Sequence, residues 1–131
     1  MKYRNFAPFG SVSALTLGGG GIGNVWGKTT RREAIDTVLH AIDSGINHLD
    51  MAPMYGRGEA ELVIGEALKD RDLSKLKITT KCQLGTLPHD QVYEKLNESL
   101  VKSFERMKID KVNLFLLHSQ LIKDDYQLPV L

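Results

Sequence analysis

Asp50, Tyr55, Lys81 and His118 bring a carboxylate, a phenol, an ammonium and an imidazole into one short chain. Asp50 ends the stretch INHLD, Lys81 ends KITTK and His118 ends VNLFLLH, while Tyr55 sits in the loop MAPMYGRG that follows Asp50. Together they suit acid–base work. An isolated phenol has a pKa of about 10 and keeps its proton at neutral pH. A neighbouring ammonium stabilises the phenolate, a carboxylate keeps that ammonium charged and in place, and a neutral imidazole orients a carbonyl oxygen. The set suits protonation of an oxygen whose carbon receives a hydride, and general acid help of this kind is worth roughly 10²–10⁴-fold. No side chain supplies a hydride, so a nicotinamide cofactor is required.

The elements that must position these groups are legible in the spacing. Residues 2–6 and 11–13 flank the turn APFG, which predicts a β-hairpin. ALTL (14–17) reads as a strand running into GGGGIG. Thr30-x-x-Glu33 is a capping-box pattern, and Ile35, Val38, Leu39 and Ile42 follow at helical spacing until Gly45. INHLD (46–50) is the next strand, and a helix is expected from Glu59 to Lys69 with Ala60, Val63, Ile64, Ala67 and Leu68 on one face. KITTK (77–81) is a third strand. Asp90 is the expected N-cap of a third helix, whose buried stripe is Val92, Leu96, Leu100, Phe104 and Met107. VNLFLLH (112–118) is a strand apolar enough to be covered on both faces.

Alternation of strands and helices at this spacing predicts βαβ units and a parallel sheet. Alternate residues of a strand share a face. Ile46, His48 and Asp50 therefore share one face, as do Lys77, Thr79 and Lys81, and Val112, Leu114, Leu116 and His118. If these faces line the inside of a barrel, Asp50, Lys81 and His118 meet at its upper rim, where parallel barrels build their sites. Tyr55 folds over that rim from its loop.

Composition bounds the rest. The 131 residues suit one domain, and apolar (42%) and charged (25%) fractions are those of a globular chain. A net charge of +1, from 17 basic and 16 acidic residues, gives no reason to expect a nucleic-acid partner. The longest apolar run near the C-terminus, LFLL, is too short to cross a bilayer, so no membrane role is expected. The N-terminus lacks a signal-peptide core, and Cys82 is the only cysteine. A cytoplasmic location is expected.

With those motifs in hand, the chain resembles the aldo-keto reductase family. GINHLDMAPMYGRGEAELVIGEAL is similar to that family's most distinctive segment, ITTK to its lysine strand, LFLLH to its histidine strand, and LTLGGGGIGNVWG to its first strand and loop. The resemblance implies an NAD(P)H-dependent oxidoreductase that reduces an aldehyde or ketone to an alcohol, or the reverse. It makes Tyr55 the proton donor, with Lys81 assisting it, Asp50 pairing with Lys81, and His118 orienting the small carbonyl or alcohol substrate. Gly18, Gly19 and Asp50 fall at positions near the cofactor, NADPH or NADH, and Trp26 at a position that lines the substrate pocket.

The family fold is a (β/α)₈ barrel, which usually needs about 250 residues. The resemblance thus implies an α/β chain holding the N-terminal half of the barrel: four parallel strands and three helices after a short hairpin. The expected layout is one truncated domain over 1–131: a hairpin over 1–13, βαβαβαβ over 14–118 and a terminal loop over 119–131. The remaining cofactor contacts belong to later strands and are absent from this chain. Half a barrel leaves two open sheet edges and an inner apolar face in water, each exposed large side chain forgoing about 1.5–3 kcal/mol. Self-association, or pairing with a complementary barrel half, is the expected response.

Other patterns carry less. Gly18-x-Gly20-x-x-Gly23 satisfies a dinucleotide fingerprint trivially, because it lies in a glycine run with no long helix at its third glycine. Gly23-x-x-x-Gly27-Lys28-Thr29 is one residue short of a P-loop. His40, His48 and His89 lack metal-ligand spacing, so no metal is expected, and His48 reads as an interior hydrogen-bonded histidine. Cys82 should face away from Lys81 and pack as a small apolar residue. Tyr3, Tyr93 and Tyr126 stand without a charged constellation. Two alternatives remain: a Schiff-base lyase using Lys81, and a split or truncated barrel half without independent activity.

Overall fold

A computed structural model describes residues 1–119; the expected terminal loop therefore lies, beyond Ser119, outside the described residues. The N-terminal hairpin pairs β1 (Tyr3–Phe6) with β2 (Gly10–Ser13) around a turn in which Phe6 and Phe9 stack. A second sheet holds β3 (Leu17–Gly18), β4 (His48–Asp50), β5 (Lys77–Cys82) and β6 (Leu114–Leu117), all parallel and in chain order. Chain order without a reversal is the winding of a barrel sheet; doubly wound sheets change direction at a switch point. Between the strands run α1 (Gly19–Ile22), α2 (Arg31–Asp43), α3 (Glu59–Ala67) and α4 (His89–Met107).

Local chemistry explains most boundaries. The Thr30 side chain accepts from the Glu33 amide while Glu33 accepts from the Thr30 amide at 2.8 Å, a reciprocal cap that starts α2. Gly45 takes a positive φ (+92°) just beyond the end of that helix, a geometry suited to a residue without a Cβ. The first parallel strand is shorter than ALTL suggested. Ala14 still extends the hairpin by donating to the Lys2 carbonyl, so pairing with β4 begins only at Leu17. The glycine run is not all loop, because one helical turn, α1, forms at once after Gly18. Asp90 is not the N-cap of α4. Pro88 takes that place, and Asp90 sits in the first turn, where a carboxylate still favours the positive helix end.

The core lies between the sheet and the helices. Leu49 and Ile78 point outward from β4 and β5 onto Val38, Val63, Ile64 and Met107, all nearly sealed from water. A second cluster under α4 joins Cys82, Leu84 and Val92 to Leu96, Phe115 and Leu117, so Cys82 packs on the face opposite Lys81. Leu100 and Phe104 of the expected α4 stripe are only half-buried, whereas Ser103 is buried. Each fully buried Leu or Ile contributes about 1.5–3 kcal/mol. The opposite sheet face holds His48, Thr79 and Lys81, with the hairpin's Phe6, Phe9 and Val12 closing its lower end around a cavity of about 250 Å³. Leu116 on β6 remains 39% exposed, so this inner face is open at its far side. No helix among the described residues is long and apolar enough to cross a membrane.

Candidate active site

Two adjacent parallel strands set the centre of the site. Asp50 is the last residue of β4 and Lys81 the penultimate residue of β5. Strand alternation sends both side chains to the inner face at the C-terminal rim. Lys81 Nζ donates to Asp50 Oδ1 at 2.7 Å, to the Met51 carbonyl at 2.9 Å and to Tyr55 Oη at 3.3 Å. An ammonium has three donors, so each hydrogen has an acceptor. The same nitrogen lies 4.9 Å from the centre of the Tyr55 ring.

Tyr55 is held by glycines. Its amide donates to the Ala52 carbonyl at 3.1 Å and its carbonyl accepts from Ala60 at 3.2 Å. A Cβ on Gly19 would lie 2.8 Å from the Tyr55 ring, and one on Gly23 would lie 2.8 Å from the Tyr55 carbonyl oxygen. Gly56 has φ +65°, and a Cβ there would lie 2.0 Å from the Gly23 carbonyl oxygen. The glycine-rich segment after β3 therefore serves as the wall against which the tyrosine loop is pressed.

His118 follows β6 directly. Its amide donates to the Cys82 carbonyl at 2.7 Å, continuing the ladder past the strand end. Its ring meets the Tyr55 ring edge-on, centroids 5.4 Å apart at 87°. Burial, reinforced by the Lys81 ammonium and opposed by Asp50, holds the His118 imidazole below its ordinary pKa, so it is neutral at pH 7. His48, on the inner face beneath the site, is held low in the same way, by burial first. Its Nδ1 is 3.0 Å from Thr16 Oγ1 and its Nε2 is 2.9 Å from Thr79 Oγ1, one hydroxyl partner for each ring nitrogen of a neutral ring.

The structure thus brings Asp50, Tyr55, Lys81 and His118 together. Gly18 pairs with Asp50 across the sheet, and a Cβ on it would enter open space. Gly19 is turned toward Tyr55. Trp26 is 81% exposed, with its indole lying against Gly20. Thr29, in the segment resembling a P-loop, donates its hydroxyl to the Gly21 carbonyl and takes its amide partner from Asn24, so the loop closes on itself.

The sequence profile of the Aldo/keto reductase family matches residues 14–127. The chain belongs to that family. It is 32% identical over 128 residues to the aldo-keto reductase YhdN of Bacillus subtilis, covering 90% of this chain and 38% of the relative. It is 32% identical over 125 residues to the NADH-specific methylglyoxal reductase of Escherichia coli, covering 85% and 38%. Among solved structures it superposes on the thermostable aldo-keto reductase Tm1743, determined with the inhibitor epalrestat, at a TM-score of 0.80 and 30% identity, covering 99% of this chain and 48% of that one. The chain thus spans less than half the length of these aldo-keto reductases, and the four parallel strands among its described residues correspond to half of their barrel.

Two contributors to the site are not named by any sequence motif. The Met51 carbonyl takes one of the Lys81 hydrogens, and a backbone atom leaves no mark in residue type. Glu61 is fully buried on α3, accepting from Thr80 Oγ1 at 2.6 Å and from Arg106 Nε at 2.6 Å. Its signal was available: Glu61 shares a helix face with Ile64 and Leu68, a carboxylate on the side meant for the core.

Proposed function

We propose that the protein is an NAD(P)H-dependent carbonyl reductase, or the reverse alcohol dehydrogenase, acting on a small aldehyde, ketone or alcohol. The observation that carries this reading is the Lys81 ammonium held between Asp50 Oδ1 and Tyr55 Oη. Because the phenol oxygen accepts from Lys81, the phenol's own hydrogen is directed elsewhere, toward an incoming carbonyl oxygen. Tyr55 gives that proton, Lys81 stabilises the phenolate left behind, and Asp50 fixes Lys81. The neutral imidazole of His118, against the Tyr55 ring, orients the same oxygen. A reduced nicotinamide, NADPH or NADH, supplies the hydride to the carbonyl carbon when bound.

The residues present suit part of that cofactor. Gly18 leaves open a space beside Asp50 that any side chain would enter, so Gly18 and Asp50 offer a low floor for a flat ring, and the buried Gly19 contributes by letting Tyr55 pack close beside it. Trp26 stands exposed nearby in sequence as a wall of the substrate pocket. A Schiff-base role for Lys81 is less well supported, because all three of its donors are engaged and a nucleophilic amine needs a lone pair. The layout is proposed as one half-barrel domain, residues 1–13 a hairpin and 14–118 the strand–helix repeat.

The test mixes the chain with NADPH and a reactive aldehyde and follows loss of nicotinamide absorbance. Oxidation is expected, with Tyr55→Phe lowering its rate by roughly 10²-fold or more. An equally active Tyr55→Phe variant, or a wild-type chain that turns over neither NADPH nor NADH, refutes the assignment.

A further inference from the structure

We propose that Glu61 is a positioning residue: acting through Thr80, it fixes the point on β5 from which Lys81 reaches Tyr55. The proposal rests on the reading of Lys81 as the partner of Tyr55.

Thr80 and Lys81 are consecutive on β5 and point to opposite faces. The lysine crosses the inner face to Asp50 and Tyr55. The threonine, fully buried, gives its hydroxyl hydrogen to Glu61 Oε1 at 2.6 Å. Glu61 belongs to α3, the helix entered directly from the tyrosine loop. One carboxylate therefore ties the strand that carries the ammonium to the helix that anchors the phenol. Its second oxygen accepts from Arg106 Nε on α4, and Arg106 also reaches Ser103 Oγ at 3.4 Å. The close fit of Gly58 and Gly65 on Arg106 and its backbone lets that cation approach: a Cβ would lie 2.9 Å from Arg106 Cδ at Gly58 and 2.3 Å from the Arg106 carbonyl oxygen at Gly65.

Burying a carboxylate is costly unless it is paired and hydrogen-bonded, and the other buried residues of α3 are all apolar. An ionic group gives what Leu or Ile at this place would not: a directional bond. Dispersion contacts let a strand slide by tenths of an ångström against a helix, whereas a short bond to a charged acceptor fixes a distance. Sliding of β5 would be felt at Lys81 Nζ, whose contact with Tyr55 Oη, at 3.3 Å, is the longest of its three.

The test separates the bond from the packing. Thr80→Val keeps the volume and loses the hydroxyl; Thr80→Ser keeps the hydroxyl and loses a methyl. The folded 131-residue chain is acylated with trace acetic anhydride, and labelling of Lys81 is read by peptide mass spectrometry, with Lys77 of the same strand as control. Thermal stability is measured alongside. Labelling of Lys81 is expected to rise roughly tenfold relative to Lys77 in Thr80→Val, and to stay near wild type in Thr80→Ser. Glu61→Gln, which retains an oxygen for Thr80 but sets an amide against Arg106, is expected to lose stability while leaving Lys81 protected. Unchanged labelling in Thr80→Val, or labelling that follows stability across the variants whatever happens to the hydroxyl, overturns the proposal. The readout needs no turnover, so an inactive wild-type chain would count against the reductase assignment alone.

Discussion

Lys81 Nζ lies 2.7 Å from Asp50 Oδ1 across adjacent strands, yet the two ends of the pair are unequally wet: the lysine side chain is 11% exposed and the aspartate 32%. The ammonium is the enclosed partner and the carboxylate is its outlet to water. Removal of either residue should therefore not cost the same.

Asp50→Asn leaves an enclosed ammonium without its counter-charge. It should destabilise the chain by about 2 kcal/mol, below the full penalty for a stranded charge because water still reaches that side. Lys81→Met leaves a carboxylate that can hydrate and a buried Met51 carbonyl without its donor, at a cost of about 1 kcal/mol. Urea denaturation of both variants checks the ranking, and a more damaging Lys81→Met would contradict it.

Gly56→Ala should be among the most damaging glycine substitutions near the site. It places a Cβ in the left-handed region and 2.0 Å from the Gly23 carbonyl oxygen, so a loss of at least about 2 kcal/mol is expected. Gly18→Ala meets open space and an ordinary φ of −83°, so stability should change by less than about 0.5 kcal/mol. It should nonetheless weaken NADPH binding, read by nicotinamide fluorescence. Unaltered affinity would remove Gly18 from the cofactor floor.

Arg106→Met should cost about 3–5 kcal/mol, because it leaves the buried Glu61 carboxylate without its cation. The double variant Glu61→Met/Arg106→Met should recover part of that loss. Denaturation midpoints of the wild type, the two singles and the double form the cycle. Simple additivity would mean that the two side chains do not interact.

Acid should loosen the chain through two imidazoles. The folded pKa values of His48 and His118 are both depressed, chiefly by burial. Between those values and about 6.5 the unfolded chain binds more protons, so stability rises with pH there. Their contribution is complete above about pH 6.5 and is lost as pH falls through the folded values. His48→Gln should flatten the dependence of unfolding free energy on pH between 5 and 7. An unchanged slope would clear His48 of this role.

Local signals carried much of this architecture. Thr30 and Glu33 write the start of α2 into four residues, and period-two patterning alone puts Asp50 and Lys81 on one inner face. What stayed hidden depends on partners distant in sequence. Glu61 shows in the sequence only as a carboxylate on a helix face meant for the core; the partners that satisfy it, Thr80 and Arg106, lie 19 and 45 residues away. β3 starts later than ALTL because Ala14 has two possible neighbours, and the hairpin takes it. Asp90 resembled a cap by type, but Pro88, fixed at φ −59°, starts the helix two residues earlier.

The spatial order of β3, β4, β5 and β6 repeats their order in the chain. Each of β4, β5 and β6 emerging from a ribosome thus finds its hydrogen-bonding predecessor already made, and within this sheet only β3 waits for the strand that follows it. Each pairing spans one crossover helix and its loops, so the sheet can grow in sequence from its N-terminal edge. The half of a barrel of this kind that carries Asp50, Tyr55, Lys81 and His118 can be laid down, strand upon strand, before the remainder has been synthesised.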